Sequence, residues 1–394
     1  MHIVFLLNRY PGIGGIENIT TILANLFVNE LGYKVSIFSI FSQDRVSING
    51  ALEGENVKVV RSNNREIITS TFVEYMCNNP ADVLIFQDSY AEIEYLLDYV
   101  IKPTRIITVE HNTPDCLLKG YVSHWKTHRW FSFSGLLKKI LFPYIYWKIY
   151  KHQRDRHRLL VRKSDHYVVL SESFKSHLYS LWKIDDSKII SISNIKNDFG
   201  CLVDDNLIYN KKKKVLYVGR LTGQKGIDYL ISIWKRIEKK TDEYELVIVG
   251  DGEERYKLEE EITRGRLRNV KLEGFRDNVC DYYADSSILF FTSIYEGFGL
   301  VLPEAMQFGV IPISFDSYLA LNDIICDNHN GFIVKSFDIE AYVHTFMKLI
   351  SMPEDKINII RMNATKSSEK FSSNIILKQW VKLFDESYDN SVCK

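Results

Sequence analysis

A chain of 394 residues with 46% hydrophobic and 25% charged side chains is too long for one ordinary core and too apolar to be disordered. Fifty basic residues balance fifty acidic ones, so no whole-molecule field draws the protein to nucleic acid or membrane, and any such attraction must be local. Cys77, Cys116, Cys201, Cys280, Cys326 and Cys393 form no CxxC pair, which argues against a zinc site or disulfide framework and for reduced cytosolic thiols. The opening MHIVFLLNRYPGIGG has no basic leader and reads as a first strand, not a signal peptide. No apolar run approaches the roughly 20 residues that span a bilayer.

Residues 2–7 are continuously apolar, as in a parallel strand covered on both faces. A loop with Gly12, Gly14 and Gly15 follows, then a helix over 16–31 with Ile19, Ile22, Leu23, Leu26 and Phe27 on one side, ended by Gly32. A strand at 33–38 completes a βαβ unit, the start of a doubly wound sheet. A GxGxxG fingerprint starting at Gly12 would need glycine where Glu17 stands, which disfavours a nicotinamide dehydrogenase. Gly14-Gly15-Ile16-Glu17 still offers N–H groups to an anion at a helix start. Further strands are predicted at 57–60, 83–86, 105–109 and 167–170. Glu110-His111-Asn112 ends one of them, on the strand edge where open α/β sheets bind ligands. A plain loop histidine is the competing reading of His111.

Residues 119–163 hold twelve Lys/Arg against one acid, Asp155, a net charge of +11 that the rest of the neutral chain offsets. Ten aromatics are interleaved, including Trp125, Trp130 and Trp147. Basic residues such as Lys138, Lys139 and Lys148 beside Trp130 and Trp147 suit the headgroup zone of an anionic membrane. A solvated helical hairpin with its aromatics packed inward competes with this, and RNA binding is a third reading without a supporting motif.

Residues 194–214 read as a polar linker ending in a solvated lysine run, 211–214. A second βα series follows: strand 215–218, helix 227–238, strand 245–249, helix 253–264, and strands 270–272 and 288–291. The stretch 293–309, SIYEGFGLVLPEAMQFG, then places Glu296, the turn Gly297-Phe298-Gly299 and Glu304 within nine residues. A helix over 300–308 capped by Gly309 and a strand at 310–314 complete the unit. A closing amphipathic helix covers 373–388, with Ile375, Ile376, Trp380, Leu383 and Phe384 on its apolar side.

Several turns share the carboxyl edge of this second sheet. Gly219-Arg220-Leu221 and Lys225-Gly226 bring two cations to a helix start, an arrangement that suits a diphosphate. Gly250-Asp251-Gly252 and Gly274-Phe275-Arg276 end neighbouring strands, and the aromatic with its cation could hold a nucleobase.

GRLTGQKGIDYL, VIVGDGEE, EGF, the stretch ADSSILFFTSIYEGFGLVLPEAMQFGVIPI and NGFIV together resemble the retaining GT-B glycosyltransferases of family 4 (glycosyl transferases group 1). Glu296 and Glu304 meet its Glu-x7-Glu signature. The resemblance covers most of 215–334 and is looser before it. It implies two Rossmann-like domains facing a cleft: 1–195 on the acceptor side, 196–372 holding the nucleotide sugar, and 373–394 returning to the first. Arg220 and Lys225 would bind the donor diphosphate, and Glu296 the sugar hydroxyls. Gly297, Phe298, Gly299, Leu300 and Val301 would present backbone N–H groups, and Glu304 would accept the ribose hydroxyls. Gly219, Gly250 and Phe275 would complete the donor site, Gly15 would face the diphosphate, and His111 would sit near sugar and acceptor.

The implied activity is retaining transfer by front-face attack, with the leaving phosphate taking the acceptor proton, no cofactor and no metal. The donor is a nucleotide sugar, with UDP favoured over GDP or ADP. The acceptor is a glycan or polyprenyl-diphosphate-linked glycan in surface-polysaccharide assembly. The protein would be cytoplasmic, peripheral at the inner face of an anionic membrane, with no nucleic-acid partner. A sugar-nucleotide epimerase on the same architecture and a non-catalytic nucleotide-sugar-binding protein are the alternatives. One departure stands out: after Ile313 the chain reads SFDSYLALNDII, without the family's Gly-Gly-x-Pro-Glu.

Overall fold

The continuous apolar runs do become parallel strands. In the computed structural model, residues 1–12, 14–42, 56–88, 90, 92–127, 133–199 and 205–392 are described. They divide into two units, Met1–Ser193 with Gln379–Lys394, and Asn194–Lys378.

The first unit holds seven parallel strands: β1 (His2–Arg9), β2 (Lys34–Phe41), β3 (Val57–Val59), β4 (Val83–Asp88), β5 (Arg105–Glu110), β6 (His166–Val169) and β7 (Ile189–Ser191). Their order is β3-β2-β1-β4-β5-β6-β7, with the chain reversing direction of growth between β1 and β4. Ile3, Val4, Phe5 and Leu6 are fully buried, as a strand covered on both faces requires. β7 was not expected, because Ile189-Ile190-Ser191 is too short to show a period. The Gly15–Asn29 helix lays Phe27 against the sheet, and Trp380 and Phe384 of the Ser373–Val392 helix pack edge-on to it at 6.0 and 5.5 Å.

The second unit holds six parallel strands: β8 (Lys212–Val218), β9 (Glu245–Val249), β10 (Val270–Gly274), β11 (Ser286–Phe291), β12 (Ile311–Phe315) and β13 (Phe332–Val334). Their order, β10-β9-β8-β11-β12-β13, reverses between β8 and β11, so ligand-binding turns are expected at the carboxyl ends of those two strands. The Ile227–Ile237 helix buries Leu230, Ile231, Ile233, Trp234 and Ile237 and sets Asp228 in its first turn and Lys235 and Arg236 in its last, matching its dipole.

Two expectations are corrected here. The lysine run is not the end of a linker, because β8 begins at Lys212, although Lys212 and Lys213 are solvated as expected. Alternation sends Lys212 and Lys214 to one side, where both reach Asp285 at 2.8 and 3.0 Å, and Lys213 to Glu243 on the other. Lys211 donates to the carbonyls of Tyr283 and Ala284 at 3.0 and 2.8 Å, and burial pulls its pKa down to about 7. Upstream, Lys196 is buried and reaches Gln307 at 3.0 Å. Cys280 is disulfide-bonded, against the expectation of reduced thiols throughout, while Cys77 and Cys326 are free.

Candidate active site

Glycines let the turns at the carboxyl edge of the second sheet close on one another. Gly219 donates its N–H to Val249, Gly250 to Gly274, and Leu221 to Asp251. Gly250 has φ +142°, and a side chain there would run into the Gly219 carbonyl. The turn after β8 then enters the Ile227–Ile237 helix through Gly226 at φ +67°, where a Cβ would strike the Thr292 carbonyl at the end of β11.

This close approach joins two loops. Thr292 Oγ1 donates to Lys225 O at 3.0 Å, Ile294 N to Gln224 O at 2.8 Å, and Gln224 Nε2 to Tyr295 O at 3.1 Å. Backbone stitching so close to Lys225 and Glu296 sets their side chains together: Lys225 Nζ lies 2.5 Å from Glu296 Oε1, with the two side chains only 18% and 10% exposed. Two residues predicted for separate parts of one ligand thus neutralise each other in this structure. Arg220 is exposed and its side chain makes no ion pair among the described residues, so it is the cation left to attract an anion.

Two phenols flank the pair. Tyr217 donates to Arg220 O at 3.3 Å, and burial first, then the Glu296 charge, push its ionisation far above the usual tyrosine range. Burial and Glu296 do the same to Tyr318. Both phenols therefore remain neutral. Reading residue types by turn and strand missed them, since Tyr217 lies inside β8 and Tyr318 falls where the resemblance fails.

Gly299, at φ +83°, turns the chain into the Val301–Gln307 helix, a little shorter than the predicted 300–308. Gly297 and Leu300 are half-buried on either side of that turn. The Phe298 side chain is buried and packs edge-on against Phe371 at 5.3 Å, which leaves its backbone as the part that could serve a ligand. Glu304 is likewise buried, accepting from Tyr283 OH at 3.2 Å and from Asn197, and burial lifts its pKa to about 7. Gly309 closes the helix at φ +71°, as predicted. Phe275, just past β10, is 60% exposed and free to stack, whereas Arg276 is held by Glu273 at 3.1 Å.

In the first unit, Gly15 is exposed at the start of its helix with open space around it. The Glu17 carboxylate folds back against Gly12 and Gly14, so this loop already faces an anion of its own. A cavity of about 110 Å³ lies beside it, lined by Leu7, Asn8, Arg9, Ile16, Glu17 and Gln87. His111 is buried and its Nε2 pairs with Gln87 Oε1. Beneath, Tyr167 OH donates to Glu110 Oε2 at 3.2 Å, and His157 Nδ1 lies 3.7 Å from that oxygen. Gln87 was missed, although its place at the end of the strand beside β5 could have marked it.

Of the predicted membrane contacts, Trp130 lies outside the described residues, as do the side chains of Lys138 and Lys139 on the Phe133–Lys163 helix. Trp147 is 54% exposed, with Leu141, Tyr144, Tyr146 and Lys148 also exposed around it. The inner side of the same helix is closed by Gln153, His157 and Leu160, all fully buried. No described helix is long and apolar enough to cross a membrane. Among the described residues no group of three or more His, Cys, Asp or Glu could hold a metal ion.

Residues 202–367 match the family described as Glycosyl transferases group 1. An uncharacterized glycosyltransferase of Haemophilus influenzae is 30% identical over 265 residues, spanning 63% of this chain and 71% of that protein. The chain belongs to the group 1 glycosyltransferases. The amylovoran biosynthesis glycosyltransferase AmsD of Erwinia amylovora is 31% identical over 215 residues, 54% of this chain and 60% of that protein, so the match spans less than two thirds of it. A solved pneumococcal O-GlcNAc transferase, GtfA, in complex with UDP and GlcNAc, superposes with a TM-score of 0.74 at 15% identity, covering 98% of this chain and 99% of that one. At that identity it speaks for the fold alone, which is GT-B: two parallel doubly wound sheets with flanking helices.

Proposed function

We propose that this group 1 glycosyltransferase is a retaining enzyme that moves a sugar from a UDP-sugar to a glycan or lipid-linked acceptor in surface-polysaccharide synthesis. The observation that carries the reading is the buried Lys225–Glu296 pair, set by interlocking glycine turns at the carboxyl edge of the second sheet. A donor diphosphate would draw Lys225 toward it and join Arg220, and the released Glu296 would take the sugar hydroxyls. Cleaving the glycosyl–phosphate bond leaves negative charge on the diphosphate, and fixed cations there stabilise it without a metal. The leaving phosphate takes the acceptor proton, so neither Glu296 nor Glu304 serves as a base. Phe275 stacks on the uracil. The role of the Erwinia relative in amylovoran biosynthesis supports a polysaccharide setting.

The experiment is a thermal-shift panel of UDP, GDP and ADP, followed by transfer assays of Lys225→Ala. UDP should raise the melting temperature most, and Lys225→Ala should lose ~10²–10³ in rate while staying folded. No shift with any nucleoside diphosphate, or a fully active variant, would refute the assignment.

A further inference from the structure

Tyr318 is a buried polar group that the reading of this site leaves unexplained. It lies in the 316–320 loop after β12, in the stretch where the family pattern breaks. The loop is anchored at Ser317, whose Oγ donates to Ser293 O at 2.6 Å, and at Asp316, whose N–H reaches Val334 O at 2.7 Å. Tyr318 is 3% exposed, and its hydroxyl has no hydrogen-bond partner among the described residues. Its ring sits 5.8 Å from that of Phe291. The hydroxyl lies so close to Gly299 that a Cβ there would be 2.7 Å from it. A hydroxyl withdrawn from water without a partner is destabilising, and phenylalanine would fill the same space without it. Such a group asks for an explanation in a second state of the site.

That second state follows from the ion pair. In this structure the Glu296 carboxylate is occupied by Lys225 at 2.5 Å, and Glu296 is the charge that acts on the Tyr318 phenol. If Lys225 turns to a diphosphate, Glu296 becomes a buried carboxylate that has lost its charged partner, which is strongly unfavourable unless another donor replaces it. We propose that Tyr318 is a positioning residue for Glu296, its hydroxyl donating to the carboxylate oxygen that Lys225 vacates when the donor diphosphate binds. This rests on the nucleotide-sugar reading of the site. No proton changes owner: one ion pair opens, Lys225 gains phosphate oxygens, and Glu296 gains a neutral donor. The hydroxyl is therefore unsatisfied in the free protein and satisfied in the occupied one.

Tyr318→Phe separates this from a packing role. The free variant should unfold in urea at the same or a higher denaturant concentration than wild type. Its affinity for UDP, GDP or ADP should fall roughly 10- to 100-fold, the worth of one charge-assisted hydrogen bond that forms only when the diphosphate binds. In a Glu296→Gln background the same change should cost less than about twofold, because the group it positions is gone. Unchanged nucleoside diphosphate affinity, an equal loss in both backgrounds, or a matching loss of stability would overturn the proposal. Absence of nucleoside diphosphate binding by the wild-type protein would overturn the reading of the whole site with it. Binding by wild type with an unimpaired Tyr318→Phe enzyme would overturn this inference alone.

Discussion

Glu304 shows how burial changes what a predicted ligand carboxylate can do. Its side chain lies under Tyr283 and Asn197, and its pKa rises from the usual 4.5 to about 7, with desolvation the main cause. Below pH 4.5 both folded and unfolded chains hold the proton, and the contribution to stability is complete. As pH climbs toward 7 the unfolded chain releases its proton first, so stability falls until the folded carboxyl ionises too. A rise of this size is worth on the order of 3 kcal/mol. Glu304→Gln keeps a neutral group in the same place and should remove this dependence. Urea denaturation at pH 5 and pH 8 checks it: the variant should gain on wild type at the higher pH. Equal gaps at both values would show that Glu304 stays ionised in the fold. If Glu304 also takes the ribose hydroxyls, the variant should bind nucleoside diphosphates about tenfold more weakly.

At the scale of elements, glycines of similar appearance in the sequence carry different weights. Gly226 joins the Lys225 turn to its helix at φ +67° with the Thr292 carbonyl in the space of a side chain, whereas Gly15 has nothing within 4 Å. Gly226→Ala should therefore cost more than about 2 kcal/mol and part the two loops that hold Lys225 to Glu296. Gly15→Ala, at a helix start, should leave the denaturation midpoint nearly unchanged. A midpoint for Gly226→Ala within error of wild type would mean that the turn relaxes freely. The strands and helices around these turns were legible because burial on both faces writes continuous apolar runs, as at β1 and β11. The start of β8 was not, because Lys212–Lys214 reads as a solvated run until Asp285 and Glu243, distant in sequence, supply its partners. The same distance hid Tyr217 and Tyr318: a phenol becomes part of a site only through what the fold lays beside it.

For the molecule as a whole, the informative quantity is the distribution of charge, since the total is zero. Residues 119–163 carry +11 and everything else −11, so the attraction of the basic stretch for an anionic surface is local and falls within about 8 Å at physiological salt. Charge of that range needs an apolar anchor to hold it at the surface, and we propose that the Phe133–Lys163 helix supplies it through exposed Leu141, Tyr144 and Trp147 beside Lys148, with Lys151 placed 5.5 Å over the Trp147 ring. Because Gln153, His157 and Leu160 already fix the inner side of the helix, these outer residues do not build the core. Trp147→Ala with Lys148→Glu should therefore leave the melting temperature within about 2 °C and UDP binding unchanged. The same double variant should lower the fraction floating with phosphatidylglycerol vesicles at 50 mM salt several-fold, as expected when a basic charge near the surface, worth about 1 kcal/mol, is lost with an aromatic anchor. Wild-type protein that stays at the bottom of the gradient, or a variant that floats equally well, would leave the stripe as solvated surface. Flotation that survives 500 mM salt undiminished would assign the binding to the aromatics, with the basic residues contributing little.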